Sequence, residues 1–354
     1  MIVPPTTENL RRAAELLARG ELVGLPTETV YGLAGDAFNA TAVARIFAAK
    51  ERPTFDPLIV HVAPIPPAQS AIDVLAAREV IDAAALDATA RARAEALMRA
   101  FWPGPLTLVL PRHARVPDLV TSGLPTVAVR VPHHPVALAL LAERETPLAA
   151  PSANRFGRIS PTSARDVEAE LGDALALILD GGPCAIGVES TVVAIAPGGE
   201  LRLLRPGGTP IEELERVTGA RPILTRAPVE GAPPSPGMLA GHYAPAKRLI
   251  LLGGPAGDPG DASLRGLELP ARVGLLAQSG DAAERAASFA RATGREVEAR
   301  VLSATGNLEE AARNLFAGLR ALDESAASLL FAEPCTVERG LGHAIRDRLR
   351  RASR

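Results

Sequence analysis

Lys50 and Arg52 are the first residues in this chain whose types and spacing suggest chemistry. They stand in "AKERPTFDPLIVHV", with Pro53 and Pro57 just behind them. The chain has two lysines, Lys50 and Lys247, and writes almost every other positive charge as arginine. An ammonium is a compact point charge that a planar guanidinium does not replace at a tight oxyanion site. Two cations on a proline-stiffened loop suit a triphosphate, because little entropy is lost in holding them there. The same charges also answer the dipole at a helix C-terminus, which accounts for either cation but not for the choice of lysine.

Three more stretches gather polar groups. "PTETVYGL", Pro26 to Leu33, carries hydroxyls at Thr27 and Thr29 that can bind a small polar ligand, but taken alone it reads first as a helix N-cap with Glu28 in the first turn. "TPLAAPSANRFGRISPTS" offers Ser152, Asn154 and Ser160 after an apolar strand. That is where α/β sheets bind ligands, although turns favour the same residue types. "GVESTVVAI", followed by "LRLLRPG", sets Ser190, Thr191 and Arg205 at neighbouring strand ends. None of the six histidines has metal-pair spacing. His61, inside a strand run, is the best placed to face a ligand, and His133-His134 before Pro135 reads as a helix entry. Neither a GxSxG nor a GxxxxGK[ST] pattern occurs, so ATP binding would be of a non-Walker kind.

These residues need a scaffold, and the sequence describes a mixed α/β one. Thr6-Thr7 caps a helix to about Arg19, "ELVGLP" is a strand, and Asn39 caps "ATAVARIFAAKER", which puts Lys50 in that helix's last turn. "PLIVHV", "LTLVLP", "TVAVRV" and "STVVAI" are short continuous apolar runs, as expected of a sheet interior. "AIDVLAAREVIDAAALDATARARAEALM" reads as Ala-rich solvated helix. Proline and glycine crowd Gly219 to Ala246, an interdomain linker. Beyond it, strands alternate with amphipathic helices as in a small Rossmann-like layer. No GxGxxG opens a helix there, so no dinucleotide is assigned. The expected organisation is residues 1–218, 219–246 and 247–354.

At 354 residues, 47% apolar and 22% charged, the chain reads as a soluble two-domain protein, expected in the cytoplasm. A net charge of −2 gives no broad basic field for nucleic acid. No apolar stretch is long enough to span a bilayer. Cys184 and Cys335 form no CxxC pair and read as buried small hydrophobes.

Taken in order, "PTETVYGL", K-E-R-P with "PLIVH", "WPGPLTLVL", "TVAVRVP", "APSAN", "GVESTVV", "LRPG" and the linker stretch "SPGMLAGHYAP" resemble the YrdC-type L-threonylcarbamoyladenylate synthases in their long, two-domain form. The likeness covers most of residues 1–245; beyond that it is one of layout. It implies a twisted mixed-sheet YrdC-like N-terminal domain with a smaller Rossmann-like α/β domain after it. It also implies synthesis of threonylcarbamoyl-AMP and pyrophosphate from L-threonine, bicarbonate or CO2, and ATP, for the t6A modification of tRNAs that read ANN codons. By resemblance, Arg52, Asp56, Ser152, Ser160 and Arg205 contact ATP, with Thr126 a further candidate and Asn154 in the same loop. Lys50 faces the phosphates or the carbamate, and Lys50 and Arg52 are the catalytic candidates. Thr29, His61, Arg130 and Ser190 hold threonine, and Tyr243 closes over the nucleotide as part of a lid. Mg²⁺ comes with the triphosphate. A threonylcarbamoyl transferase complex downstream takes the product, and tRNA contact is expected to be weak. Two positions depart from the family's pattern: Phe156, where a small hydroxyl residue is usual, and Leu239-Ala240-Gly241, where the linker is usually basic and aromatic.

The rival reading is an RNA-binding module without synthase activity, with Lys50, Arg52, Arg155 and Arg158 on a basic face. The slight negative charge and the small number of aromatic side chains weigh against it.

Overall fold

The computed structural model describes residues 1–144, 146–225, 242–258 and 261–353. Of the expected lid, residues 226–241 therefore lie outside the described residues, Leu239-Ala240-Gly241 among them. By density of contacts the chain divides into two compact units. Among the described residues the first comprises 1–156, 161–185 and 189–225, and the second comprises 157–160, 186–188 and the chain from His242 on.

The first unit is built on one mixed sheet. Its strands are β1 (Ile2–Val3), β2 (Val23–Leu25), β3 (Gly32–Asp36), β4 (Ile59–His61), β5 (Leu106–Pro111), β6 (Thr126–Arg130), β7 (Leu148–Ala149), β8 (Leu177–Leu179), β9 (Thr191–Ile195), β10 (Leu201–Arg205) and β11 (Ile223–Leu224). They lie in the order β1-β8-β2-β3-β7-β4-β6-β5-β9-β10-β11. The helices are α1 (Thr7–Ala18), α2 (Ala40–Lys50), α3 (Ala71–Ala77), α4 (Ala88–Phe101), α5 (Asp118–Thr121), α6 (Pro135–Arg144), α7 (Ala164–Leu171) and α8 (Ile211–Thr218). Thr6 and Asn39 cap α1 and α2 with their side chains, as their positions imply.

Alternation along the central strands sorts their residues onto two faces. Val60, Val127, Val129, Leu106, Leu108 and Leu110 point into the main core, under residues of α2, α3, α4 and α8. The other face carries a small apolar group, Ile59, Val109, Ala128, Val192 and Leu204. The next residues on that face at one end of the strands are His61, Arg130 and Thr107. His61 pairs with Arg130, Thr107 with Val192, and Val192 with Arg205, so the chemistry-bearing residues form a row across four neighbouring strands and their edge.

Two expectations change. Residues 71–98 are not one solvated helix. They form α3 and α4, which bury Ile72, Leu75, Ala90, Ala94, Leu97 and Met98. Their alanines at i, i+4 spacing present a thin face on which the helix packs close. Pro26–Leu33 is not a helix start either. Thr27 Oγ1 donates to Val30 O at 2.6 Å, and the chain runs straight into β3.

The second unit is a four-stranded parallel sheet of β12 (Leu249–Leu251), β13 (Arg272–Ser279), β14 (Glu296–Ser303) and β15 (Leu329–Ala332), in the order β12-β15-β13-β14. Helices α9 (Ala282–Thr293), α10 (Leu308–Glu324) and α11 (Gly342–Ala352) complete the Rossmann-like layer. Phe289 of α9 packs with Val273, Leu275 and Phe331 on one face.

Candidate active site

Helix α2 delivers the first group of site residues. Val43, Ile46, Phe47 and Lys50 follow 3–4 spacing along its buried stripe, so Lys50 continues the core-facing line rather than turning to solvent. Glu51 then takes a left-handed conformation, φ 52°, and the chain reverses sharply enough that Arg52 is buried too. The Lys50 ammonium donates to the carbonyls of Ser152 and Asn154, the second at 2.5 Å, and Phe156 N donates back to Lys50 O at 2.8 Å. Lys50 thus pins the "APSAN" loop, with one of its three N–H groups left over among the described residues. Burial, then the charge of Arg52, pushes its pKa well below the usual lysine range.

Arg52 donates from Nε to Asp56 O at 3.0 Å and from Nη2 to Pro57 O at 2.7 Å, and pairs with the Asp56 carboxylate at 2.9 Å. Asp56 has no solvent exposure. Burial raises its pKa, against the pull of Arg52, Lys50 and Arg205. Three cations therefore converge on a single buried carboxylate.

A second cluster centres on Arg130. Its Nε donates to Gly104 O at 3.1 Å, its Nη1 to Thr29 Oγ1 at 2.9 Å, and its Nη2 faces Glu28 Oε1 at 2.6 Å. Thr29 Oγ1 shares a 2.9 Å bond with Thr27 Oγ1. Beside Arg130 on β4, burial and the arginine's charge lower the His61 pKa to about 3, so the imidazole is neutral. Its Nδ1 is buried and has no hydrogen-bond partner among the described residues.

Ser190 lies between the two clusters. Its Oγ bonds Thr107 Oγ1 at 2.8 Å, and Arg205 donates to its carbonyl at 3.0 and 3.2 Å and to its Oγ at 3.2 Å. A Cβ on Gly207 would stand 2.3 Å from Glu189 O, so only glycine lets the "LRPG" turn pass this close to Ser190.

The structure therefore brings Lys50, Arg52, Asp56, Ser152 and Asn154 together, and likewise Thr29, Arg130 and His61, with Ser190 and Arg205 joined. Thr126 shares the face of Arg130 but sits four residues along β6, about 13 Å away at strand rise. Ser160 is buried and groups with the second unit. Tyr243 is buried in that unit as well, its ring 5.5 Å from Phe316 and 5.1 Å from the Arg348 guanidinium.

A family model of the Sua5–YciO–YrdC group, described as "Telomere recombination", matches residues 15–207, and one described as "Threonylcarbamoyl-AMP synthase, C-terminal domain" matches residues 209–354. The threonylcarbamoyl-AMP synthase of Pyrococcus abyssi is 41% identical over 97% of this chain and 94% of its own length. The chain belongs to the threonylcarbamoyl-AMP synthase family. The Bacillus subtilis threonylcarbamoyl-AMP synthase is 39% identical, over 97% of this chain and 92% of that protein. The crystal structure of P. abyssi Sua5 complexed with L-threonine superposes with a TM-score of 0.81 at 35% identity, covering 100% of this chain and 97% of that one. The synthase family is one of enzymes, and this chain is an enzyme of the two-domain kind. No helix among its described residues is long and apolar enough to cross a membrane.

Within this synthase fold, sequence reading missed Glu28 and Thr107. Glu28 was visible as the one charged residue in the run "LVGLPTETVYGLAG". Thr107 carried no signal, since a threonine in "LTLVLP" is ordinary strand chemistry.

Proposed function

We propose that the first unit holds ATP and L-threonine on the face of its sheet that carries His61, Arg130 and Thr107, and synthesises L-threonylcarbamoyladenylate there. The observation that carries this reading is the convergence of Lys50, Arg52 and Arg205 on Asp56. Cations held in fixed places by buried hydrogen bonds offer the oxygens of a triphosphate charge-assisted bonds at little cost in entropy. Thr126, about 13 Å from Arg130 along β6, lies at a span suited to a nucleotide laid along the strands above Ile59, Val109 and Ala128. Ser152, Asn154, Ser160 and Tyr243 remain its further proposed contacts.

Threonine is a zwitterion, and the Arg130–Glu28 pair is its complement. The carboxylate goes to Arg130 and the ammonium to Glu28, while the hydroxyl meets Thr29, Ser190 or the neutral His61. The ammonium gives one proton to solvent, the amine nitrogen bonds to the carbon of CO2 as one C=O π pair moves onto oxygen, and a second N–H proton leaves to solvent to give the carbamate. A carbamate oxygen then bonds to the α-phosphorus of ATP, the bond from that phosphorus to the bridging oxygen breaks, and pyrophosphate leaves. The protein's task is positioning and stabilising phosphate charge, which Lys50, Arg52 and Arg205 do from fixed places. Among the described residues no three His, Cys, Asp or Glu side chains gather to hold a metal. Mg²⁺ would come with ATP, held by its oxygens and by water. The product supplies t6A formation on tRNAs through a downstream transferase complex.

Pyrophosphate release tests the reading. It should require ATP, bicarbonate and threonine together, and 2-aminobutyrate, which lacks the hydroxyl, should be a very poor substitute. Release that proceeds equally with serine, or without bicarbonate, overturns the assignment. Residues 219–246 are proposed as a lid. Cleavage after Pro222 should leave the first unit folded with most activity lost, and full activity there would reduce the segment to a tether.

A further inference from the structure

The second unit carries a crevice that the proposed synthase chemistry does not use. Its four parallel strands end on one side. From the end of β13 the chain turns to α9 and on to β14. From the end of β15 it turns the other way, to α11, which packs beside β12. Adjacent strands whose connections diverge leave a crevice at their carboxyl ends, which is where open α/β sheets bind ligands. A cavity of about 230 Å³ occupies that place, lined by Gln278, Ser279, Arg285, Glu333, Cys335 and Thr336 among others.

The crevice is organised around a clamped guanidinium. Arg285 donates from Nε to Ser279 O at 2.8 Å, at the end of β13, and from Nη1 to Glu333 Oε1 at 3.3 Å, just past β15. It thus bridges the two strands that border the crevice. Glu333 is buried, and its carboxylate also accepts from Ala256 N at 2.6 Å and Gln278 N at 2.8 Å, so it is itself fixed from three directions. Gly280, at φ +99°, leaves room for the arginine: a Cβ there would stand 3.1 Å from Nε. The third guanidinium nitrogen, Nη2, makes no bond among the described residues, and the side chain is 27% exposed. A rigid fork with one free nitrogen at the mouth of a cavity is a preformed seat for an oxyanion, because its orientation has already been fixed.

We propose that this crevice is a ligand site separate from the synthase site, taking a small molecule through a phosphate or carboxylate set on Arg285 Nη2. This crevice lies wholly within the second unit and does not depend on the function assigned to the first.

Cys335 in the lining provides the readout. In full-length protein carrying Cys184→Ala it is the only thiol, and its modification by a thiol reagent at mildly alkaline pH is followed with inorganic phosphate, AMP, acetate or succinate present. At least one probe should slow modification saturably, by roughly threefold or more. Slowing by phosphate and AMP alone assigns a phosphate ligand; slowing by acetate and succinate alone assigns a carboxylate. Arg285→Ala and Thr336→Glu should each remove the protection. Thr336→Glu leaves the Arg285–Glu333 pair intact, so it decides the matter even where Arg285→Ala fails to fold. No slowing by any of the four probes, or full protection retained in Thr336→Glu, overturns the proposal.

Discussion

The neutral state of His61 has a measurable consequence for stability. Its pKa is about 3 in the folded chain against an ordinary value of 6.5, because burial and Arg130 oppose its charge. A depressed histidine pKa means that the unfolded chain binds the proton first, so stability is lost as pH falls from the ordinary value toward the folded one. Above pH 6.5 the effect vanishes. Between pH 7 and pH 5 it amounts to about 2 kcal/mol, and this holds for any folded value below about 4, since the folded imidazole is then neutral at both pH values. The assay is urea unfolding of wild type and His61→Asn at the two pH values, followed by the fluorescence of Trp102, the only tryptophan, which lies in the first unit. Other titrating groups, His134 among them, contribute to both proteins and cancel in the difference of differences. Wild type should lose about 2 kcal/mol more than the variant on acidification. An equal loss in both would refute the buried neutral imidazole and, with it, its use as an acceptor for the threonine hydroxyl.

Lys50→Ala should cut pyrophosphate release by about a hundredfold. It should also destabilise the first unit by about 2 kcal/mol or more, because the Ser152 and Asn154 carbonyls lose their donor. Lys50→Arg should be impaired as well, and wild-type turnover by that variant would show the ammonium to be incidental. Gly207→Ala drives a Cβ into Glu189 O and should cost about 1–3 kcal/mol in thermal unfolding, along with a raised KM for threonine as Ser190 shifts. Tyr243→Ala empties a ring site between Phe316 and Arg348 and should destabilise the second unit by about 3 kcal/mol, read as a lower melting transition.

What the sequence could disclose depended on how local each cause is. Lys50 was legible because a helix writes its buried face at 3–4 spacing, and Val43, Ile46 and Phe47 point the stripe straight at it. The caps at Thr6 and Asn39 are likewise local hydrogen bonds, legible from one side chain and the residues just after it. Glu28 facing Arg130 is another matter, because about a hundred residues separate them and no period links them. The same holds for Arg285 and Glu333, which meet only because β13 and β15 are neighbours.

The strands show why even a correct strand assignment hid the site. "PLIVHV" and "TVAVRV" read as continuous apolar runs, which is the signature of a strand buried on both sides. One face is indeed packed under helices, through Val60, Val127 and Val129. The other is apolar only along its middle, at Ile59 and Ala128, and turns polar at its ends: His61 and Arg130 at one, Thr126 at the other. A face with an apolar floor and polar ends is what a ligand with an apolar middle and charged or hydroxylated ends requires. Period-2 counting cannot tell that floor from a core, since Ile and Ala serve both. Register makes the distinction: once His61 is opposite Arg130 and Thr107 is opposite Val192, the isolated polar residues of four strands fall into one line. The information needed to see the site was therefore the pairing of the strands, not their identity.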